Sequence, residues 1–90
     1  MEARAHVVIT GMVHGVGFRA FIFRHARHMR IAGWVRNAGD EKVEAVFEGR
    51  KYLVERMVEL CKKGPVTSVV DDVDVRWEEP EGSNSFYVRY

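Results

Sequence analysis

The segment GMVHGVGFR, residues 11–19, brings three glycines, a histidine and an arginine together in a short stretch of the chain. Gly11, Gly15 and Gly17 have no Cβ, so they can adopt a positive φ and let a ligand approach the backbone closely. A glycine-rich turn that leads from a strand into a helix exposes backbone N–H groups, which favour a phosphate or another oxyanion. The alternative is a plain tight connection, and the glycines alone do not decide between the two. The spacing matches neither the P-loop nor the dinucleotide-binding fingerprint.

Arg19 favours the anion-binding interpretation. A β-branched run, AHVVIT at 5–10, precedes the glycines, and from Phe18 onward the apolar residues recur at helical spacing as far as Arg30. Arg19 therefore lies in the first turn of a helix, where the dipole disfavours a cation by ~0.3–1 kcal/mol. A bound anion would remove this penalty, because a guanidinium can bind two phosphate oxygens at once. The other basic side chains of this helix are predicted to face solvent: Arg24, His25, Arg27, His28 and Arg30.

The remaining chain supplies the elements that must position this loop. Strands are predicted over 33–38 and 43–49 with a hairpin at Gly39 and Asp40, a helix over 51–63, a strand over 69–77 and a short last strand with Phe86, Val88 and Tyr90. This order predicts an α+β, ferredoxin-like split βαβ sandwich, βαββαβ plus a short C-terminal edge strand. Its antiparallel sheet would have two helices on one face. With 90 residues, the chain is predicted to form a single domain, 1–90.

Composition limits the classes of partner. The net charge of +1 argues against a protein that holds nucleic acid mainly through phosphate contacts. No apolar run approaches the ~20 residues of a membrane span, so no membrane partner is expected. Cys61 has no second cysteine to pair with and is interpreted as a packed small hydrophobic residue, which fits a cytoplasmic location. His6, Asp72 and Asp74 alternate onto the outer faces of strands and are predicted to be solvated rather than metal-binding.

Two segments resemble the signatures of the acylphosphatase family: GMVHGVGFR, and GWVRNAGDEKVEAVFEG at 33–49. The resemblance implies that Arg19 binds phosphate, that Asn37 orients the attacking water and that Gly11 to Gly17 form the phosphate cradle. The implied phosphate-binding residues are Val13, His14, Gly15, Val16, Gly17, Phe18 and Arg19. Two positions depart from the family pattern: His14 stands where glutamine is commoner, and Glu41 stands at a hairpin position where the family usually has glycine.

The activity implied is hydrolysis of a small acyl phosphate to a carboxylate and inorganic phosphate, with phosphate also acting as an inhibitor. Neither a cofactor nor a metal is expected, and the protein is expected to be a monomer. The chemistry suits these residues, because the leaving carboxylate comes from an acid with a pKa near ~4 and departs unprotonated. What remains is to position the phosphoryl group, offset its charge and orient a water. Without the resemblance, Asn37 would be interpreted as a strand-end residue that satisfies the hairpin backbone, a common role of asparagine.

Two other functions stay open at this point. The hydrogenase-maturation carbamoyltransferases begin with an acylphosphatase-like domain that has a similar GVGFR, so the chain could be a relative that prefers carbamoyl phosphate. The same fold also serves RNA-binding modules, which stack bases on aromatic residues of the central strands. The segment VEAVFEG has one aromatic residue, Phe47, and it is in register with the core-facing Val43 and Ala45.

Overall fold

The computed structural model describes residues 1–15 and 17–90. In chain order the elements are β1 (Glu2–Met12), α1 (Phe18–His28), β2 (Ala32–Asn37), β3 (Lys42–Arg50), α2 (Lys51–Lys63), β4 (Val69–Glu78) and β5 (Phe86–Val88). The predicted order of strands and helices is confirmed, and α2 has the predicted bounds. Neither α1 nor α2, nor any other described helix, is long and apolar enough to cross a membrane.

The five strands form one sheet in the order β4-β1-β3-β2-β5. The first four pair antiparallel, as the ferredoxin-like interpretation requires. The short strand β5 extends the sheet beside β2 in parallel, with Val88 opposite Val35, so the complete sheet is mixed. This edge pairing brings the end of the chain next to the end of β2.

The core lies between the inner face of the sheet and the two helices. Ala5, Val7 and Ile9 alternate along β1 and are fully buried. They pack in one cluster with residues from both helices and from the central strands, among them Ile22, Val54, Met57, Val35 and Phe47. Each such aliphatic or aromatic side chain contributes about 1.5–3 kcal/mol when it is fully buried. The fold that positions the loop therefore rests mainly on apolar burial.

The end of α1 differs from the sequence prediction by two residues. The helix ends at His28 because Arg30 adopts a left-handed conformation, with a φ of 56°. The Arg30 N–H donates to the Arg27 carbonyl and the Ile31 N–H donates to the Ala26 carbonyl, which is the hydrogen-bond pattern of a Schellman motif. Glycine usually occupies this position, so the arginine gave no signal that the helix would stop.

Two glycines allow close backbone contacts that fix the neighbouring strands. A Cβ on Gly33 would lie 1.9 Å from the Val46 carbonyl oxygen, and one on Gly11 would lie 2.2 Å from that of Val69. Only glycine lets β2 pair with β3, and β1 with β4, at this distance. The Gly11 contact lies at the end of β1 that leads into the glycine loop, whereas the Gly33 contact lies near the start of β2, four residues before Asn37.

Candidate active site

The loop between β1 and α1 turns through two left-handed glycines. Gly15 has a φ of 67° and Gly17, which precedes the first residue of α1, has a φ of 78°. A Cβ on either glycine would meet no described atom within 4 Å. Crowding by the protein is therefore not the reason for glycine here. Glycine is needed because of the left-handed backbone conformation, and the open space beside the loop is available to a ligand.

The first turn of α1 has no side-chain cap. Gly17 offers no acceptor, the turn contains no acidic residue, and the first helical hydrogen bond runs from the Phe21 N–H to the Gly17 carbonyl at 2.9 Å. The N–H groups of Phe18 and Arg19 thus lack an intrahelical partner, as expected for a helix start. They find no acceptor among residues 1–15 and 17–90, and neither do those of His14, Gly15 and Gly17. The helix begins with a set of donors that an anion could satisfy.

Two of the predicted cradle residues need comment. Val13 is buried, and its N–H already donates to the Gly11 carbonyl at 2.9 Å, so this amide is not free for a ligand. Val16, also predicted to bind phosphate, lies outside the described residues. The amides available in the described part of the loop are those that follow Val13.

Arg19 lies at the second position of α1, half-exposed, at the positive end of the helix dipole. Its guanidinium carbon lies 5.6 Å from the centre of the Tyr90 ring, a cation–π distance. No carboxylate in the first turn offsets the charge. The electrostatic conflict inferred from the sequence is therefore real in the fold, and a dianion bound in the loop would relieve it.

Asn37 comes from a different element and reaches the same cavity. It is the last residue of β2, paired with Val43 of β3, and is exposed. A cavity of about 390 Å³ is lined by Asn37 and Arg19 together with Val13, Gly15, Gly17, Phe18, Ala20, Phe23, Arg24, Val88 and Tyr90. The structure thus brings together most of the residues predicted from the two separate sequence segments.

The side chain of His14 has a role that the sequence analysis missed. His14 is not among the residues that line the cavity. Its imidazole Nε2 hydrogen-bonds the Lys42 carbonyl at 2.5 Å, while the Gly11 N–H donates to the Glu41 carbonyl at 2.9 Å. Both acceptors belong to the hairpin that follows Asn37. The glycine loop is therefore fastened at two points to the segment that positions Asn37. The partners of His14 lie 28 residues away, so no local pattern indicates this bond.

The hairpin keeps its pairing although Glu41 occupies the position where glycine is usual. Glu41 adopts the left-handed conformation itself, with a φ of 60°. The Ala38 N–H donates to the Lys42 carbonyl at 3.0 Å, and Asn37 remains in register with Val43. The departure from the family pattern thus leaves Asn37 at the end of β2 and stores backbone strain at Glu41 instead, since αL costs an L-residue roughly 1–2 kcal/mol.

Three other side chains considered from the sequence, His6, Cys61 and Phe47, are paired or packed in the fold. His6 pairs with Glu44. Burial of the Glu44 carboxyl would raise its pKa, but hydrogen bonds from His6 and Arg36 hold this pKa below its ordinary value. Cys61 is fully buried, and burial raises the pKa of its thiol far above the usual range, so it is a packed residue as predicted. In the described ranges no three His, Cys, Asp or Glu side chains come together as a metal site. Phe47 is buried and stacks on Phe86, so its ring is not available to a base.

The chain is similar to known proteins in both sequence and fold. The family model described as acylphosphatase matches residues 5–88. An acylphosphatase of Roseiflexus sp. (strain RS-1) is 54% identical over 80 residues, which cover 89% of this chain and 86% of that protein. The crystal structure of acylphosphatase from Bacillus subtilis superposes with a TM-score of 0.93 at 35% identity, covering 100% of both chains. In full-length HypF, solved with phosphate and nucleotide bound, 12% of the chain matches the whole of this one at 28% identity and a TM-score of 0.87. The chain belongs to the acylphosphatase family.

Proposed function

We propose that the acylphosphatase activity of this chain resides in the cavity at the start of α1. The supporting observation is that Gly15, Gly17 and Phe18, whose N–H groups find no acceptor in the described part of the chain, line one cavity together with Arg19 and Asn37. Such a site complements a tetrahedral dianion and offers it both hydrogen bonds and positive charge.

The phosphoryl group would bind to the loop amides and to Arg19. The N–H groups of His14, Gly15, Gly17 and Phe18 would donate to its oxygens, with Val16 retained as a predicted member of the cradle. The planar guanidinium of Arg19 would leave Tyr90 and donate to two of these oxygens. These contacts strengthen as charge develops on the oxygens in the transition state.

Hydrolysis would proceed by in-line attack of a water oriented by Asn37. The amide carbonyl of Asn37 would accept a hydrogen bond from the water while the water oxygen attacks phosphorus. The bond from phosphorus to the acyl oxygen breaks, its electron pair leaves with the carboxylate, and both water protons remain on the inorganic phosphate, which forms as H₂PO₄⁻. The described lining of the cavity contains no carboxylate and no imidazole, which suits a reaction whose leaving group needs no proton.

We extend the proposal to metal independence, because Arg19 and the amides supply the positive field that a cation would otherwise provide. Inorganic phosphate should inhibit competitively, since the cradle would bind the product in the same way as the substrate. The half-buried Phe23 and Val88 form an apolar wall, which favours an alkyl or aryl acyl group over the polar carbamoyl group. A monomeric state and a cytoplasmic location remain predictions from the sequence.

The test is benzoyl phosphate hydrolysis by Arg19→Ala and Asn37→Ala, with Arg56→Ala and Asn84→Ala as controls outside the cavity. We expect Arg19→Ala to weaken inhibition by phosphate and to lower kcat by about 10²–10³-fold. Asn37→Ala should lower kcat and leave the inhibition constant of phosphate unchanged. Full kcat in Asn37→Ala would remove Asn37 from the mechanism. Activity lost in EDTA and restored by magnesium would contradict metal independence.

A further inference from the structure

The cavity at the start of α1 is larger than a phosphoryl group requires. Beyond the cradle, Arg19 and Asn37, it is lined by Ala20, Phe23, Arg24, Val88 and Tyr90. In the proposed function the loop holds the phosphoryl group and Asn37 holds the water. This second set of side chains is the remaining lining against which the acyl half of the substrate can pack.

The apolar part of this second set includes the ring of Phe23, which packs against neighbours from two elements. The ring is half-buried, with the Arg27 guanidinium carbon 5.3 Å from its centre on α1 and the Phe86 ring 6.3 Å away on β5. The Phe23 ring offers apolar surface to the part of the acyl group that adjoins the phosphoryl group.

Arg24 is a second arginine in the lining of the same cavity. It lies one helical turn after Ala20 and about 7.5 Å further along the helix axis than Arg19. It is exposed, and no acidic side chain among residues 1–15 and 17–90 forms an ion pair with it. The whole of α1, FRAFIFRHARH, contains no acidic residue. This cation is thus free to bind a second anionic group of the substrate.

We infer that Arg24 determines specificity by favouring acyl phosphates whose acyl group bears a second negative charge at the end remote from phosphorus. This inference rests on the proposed function. The apolar spacer of such a substrate packs against Phe23, and its remote carboxylate accepts hydrogen bonds from the Arg24 guanidinium. Aromatic or short aliphatic diacids activated as monophosphates have this shape and charge.

Two benzoyl phosphates of nearly equal size test the inference. One has a carboxylate and the other a methyl group at position 4 of the ring, so they differ in charge at the point that faces Arg24. We expect the wild-type protein to favour the carboxylate compound by about fivefold in kcat/KM, the upper range for an exposed ion pair. The preference should shrink in about 0.5 M NaCl, where exposed charges are screened.

Arg24→Gln should bring the ratio of the two kcat/KM values to about one. Arg56→Gln removes an equal charge from α2, outside this cavity, and should leave the ratio at its wild-type value. A ratio near one in the wild type, or the same decrease in both variants, would overturn the inference while hydrolysis itself supports the proposed function. If neither compound were hydrolysed, the proposed function would be refuted, and this inference with it.

Discussion

Replacing Glu41 by glycine should make the protein more stable. Glu41 has a φ of 60°, a conformation that costs an L-residue roughly 1–2 kcal/mol and costs glycine nothing. Glycine also increases the conformational entropy of the unfolded chain, which offsets about 0.4–1 kcal/mol of that gain. The balance is a net stabilisation of about 0.5–1 kcal/mol. For a domain of this size, it corresponds to an increase in Tm of about 2–8 °C.

Thermal and urea unfolding of Glu41→Gly and Glu41→Ala separate the backbone effect from loss of the side chain. Alanine removes the carboxylate but keeps a Cβ, so Glu41→Ala should not be stabilised. Glu41→Gly should exceed it in free energy of unfolding by about 0.5–1 kcal/mol, which is the cost of the left-handed conformation less the entropy that glycine adds to the unfolded chain. If the two variants were equally stable, the argument that the hairpin stores strain at this position would be refuted.

Three further sets of substitutions test other parts of the structure. His14→Ala removes the hydrogen bond to the Lys42 carbonyl and should lower kcat about ten- to hundredfold, because the loop is misplaced. His14→Gln keeps a donor and should recover most of the lost kcat. Equal losses of kcat in both variants would contradict a positioning role. Gly15→Ala and Gly39→Ala both place a Cβ at a positive φ in open space, so unfolding measurements should show a loss of stability of ~1 kcal/mol in each variant. Only Gly15→Ala should weaken inhibition by phosphate, because Gly15 belongs to the cradle. Glu48→Gln should destabilise the protein at pH 7 by about 1–3 kcal/mol, because it removes the buried carboxylate that pairs with Arg4 and leaves Arg4 with its more exposed partners Glu78 and Glu81. It should also flatten the decline in stability below about pH 4.3. Urea unfolding at several pH values measures this, and an unchanged acid dependence would refute the assignment.

The sign of the last prediction follows from the surroundings of Glu48. Burial raises the pKa of this carboxyl, but the Glu81 N–H, the Arg4 guanidinium and the N–H groups of Gly82 and Ser83 outweigh burial and hold the pKa below its usual value. Folding therefore favours the ionised carboxylate. Its contribution is complete above the unfolded pKa and is lost as the pH falls through the lower folded pKa.

The elements that local patterns specify could be predicted from the sequence. The bounds of α2 followed from its apolar spacing and from Gly64 and Pro65 after it, and the glycines before Phe18 indicated the turn into α1. The end of α1 could not be predicted, because Arg30 adopts a conformation that its side chain does not favour. The strand β1 is longer than its apolar run, since pairing with both β3 and β4 extends it at each end.

Some residues of the candidate site could be predicted from the sequence, and others could not. Arg19 stood out because a cation at a helix start conflicts with a local rule, and the structure shows that no neighbouring carboxylate in the first turn resolves the conflict. Asn37 had no comparable signal of its own and was selected through the resemblance of its segment. The bond from His14 to Lys42, and the place of Arg24 in the cavity, depend on how distant segments pack, which periodicity and propensity do not encode.

A crystal structure of the protein with inorganic phosphate would show directly whether the glycine loop and Arg19 form a phosphate site. We expect one tetrahedral anion whose oxygens lie about 2.7–3.2 Å from the backbone nitrogens of His14, Gly15, Gly17 and Phe18. The Arg19 guanidinium would have left the Tyr90 ring to bind the same anion. An anion bound elsewhere, with the loop amides unoccupied and Arg19 still against Tyr90, would contradict the account.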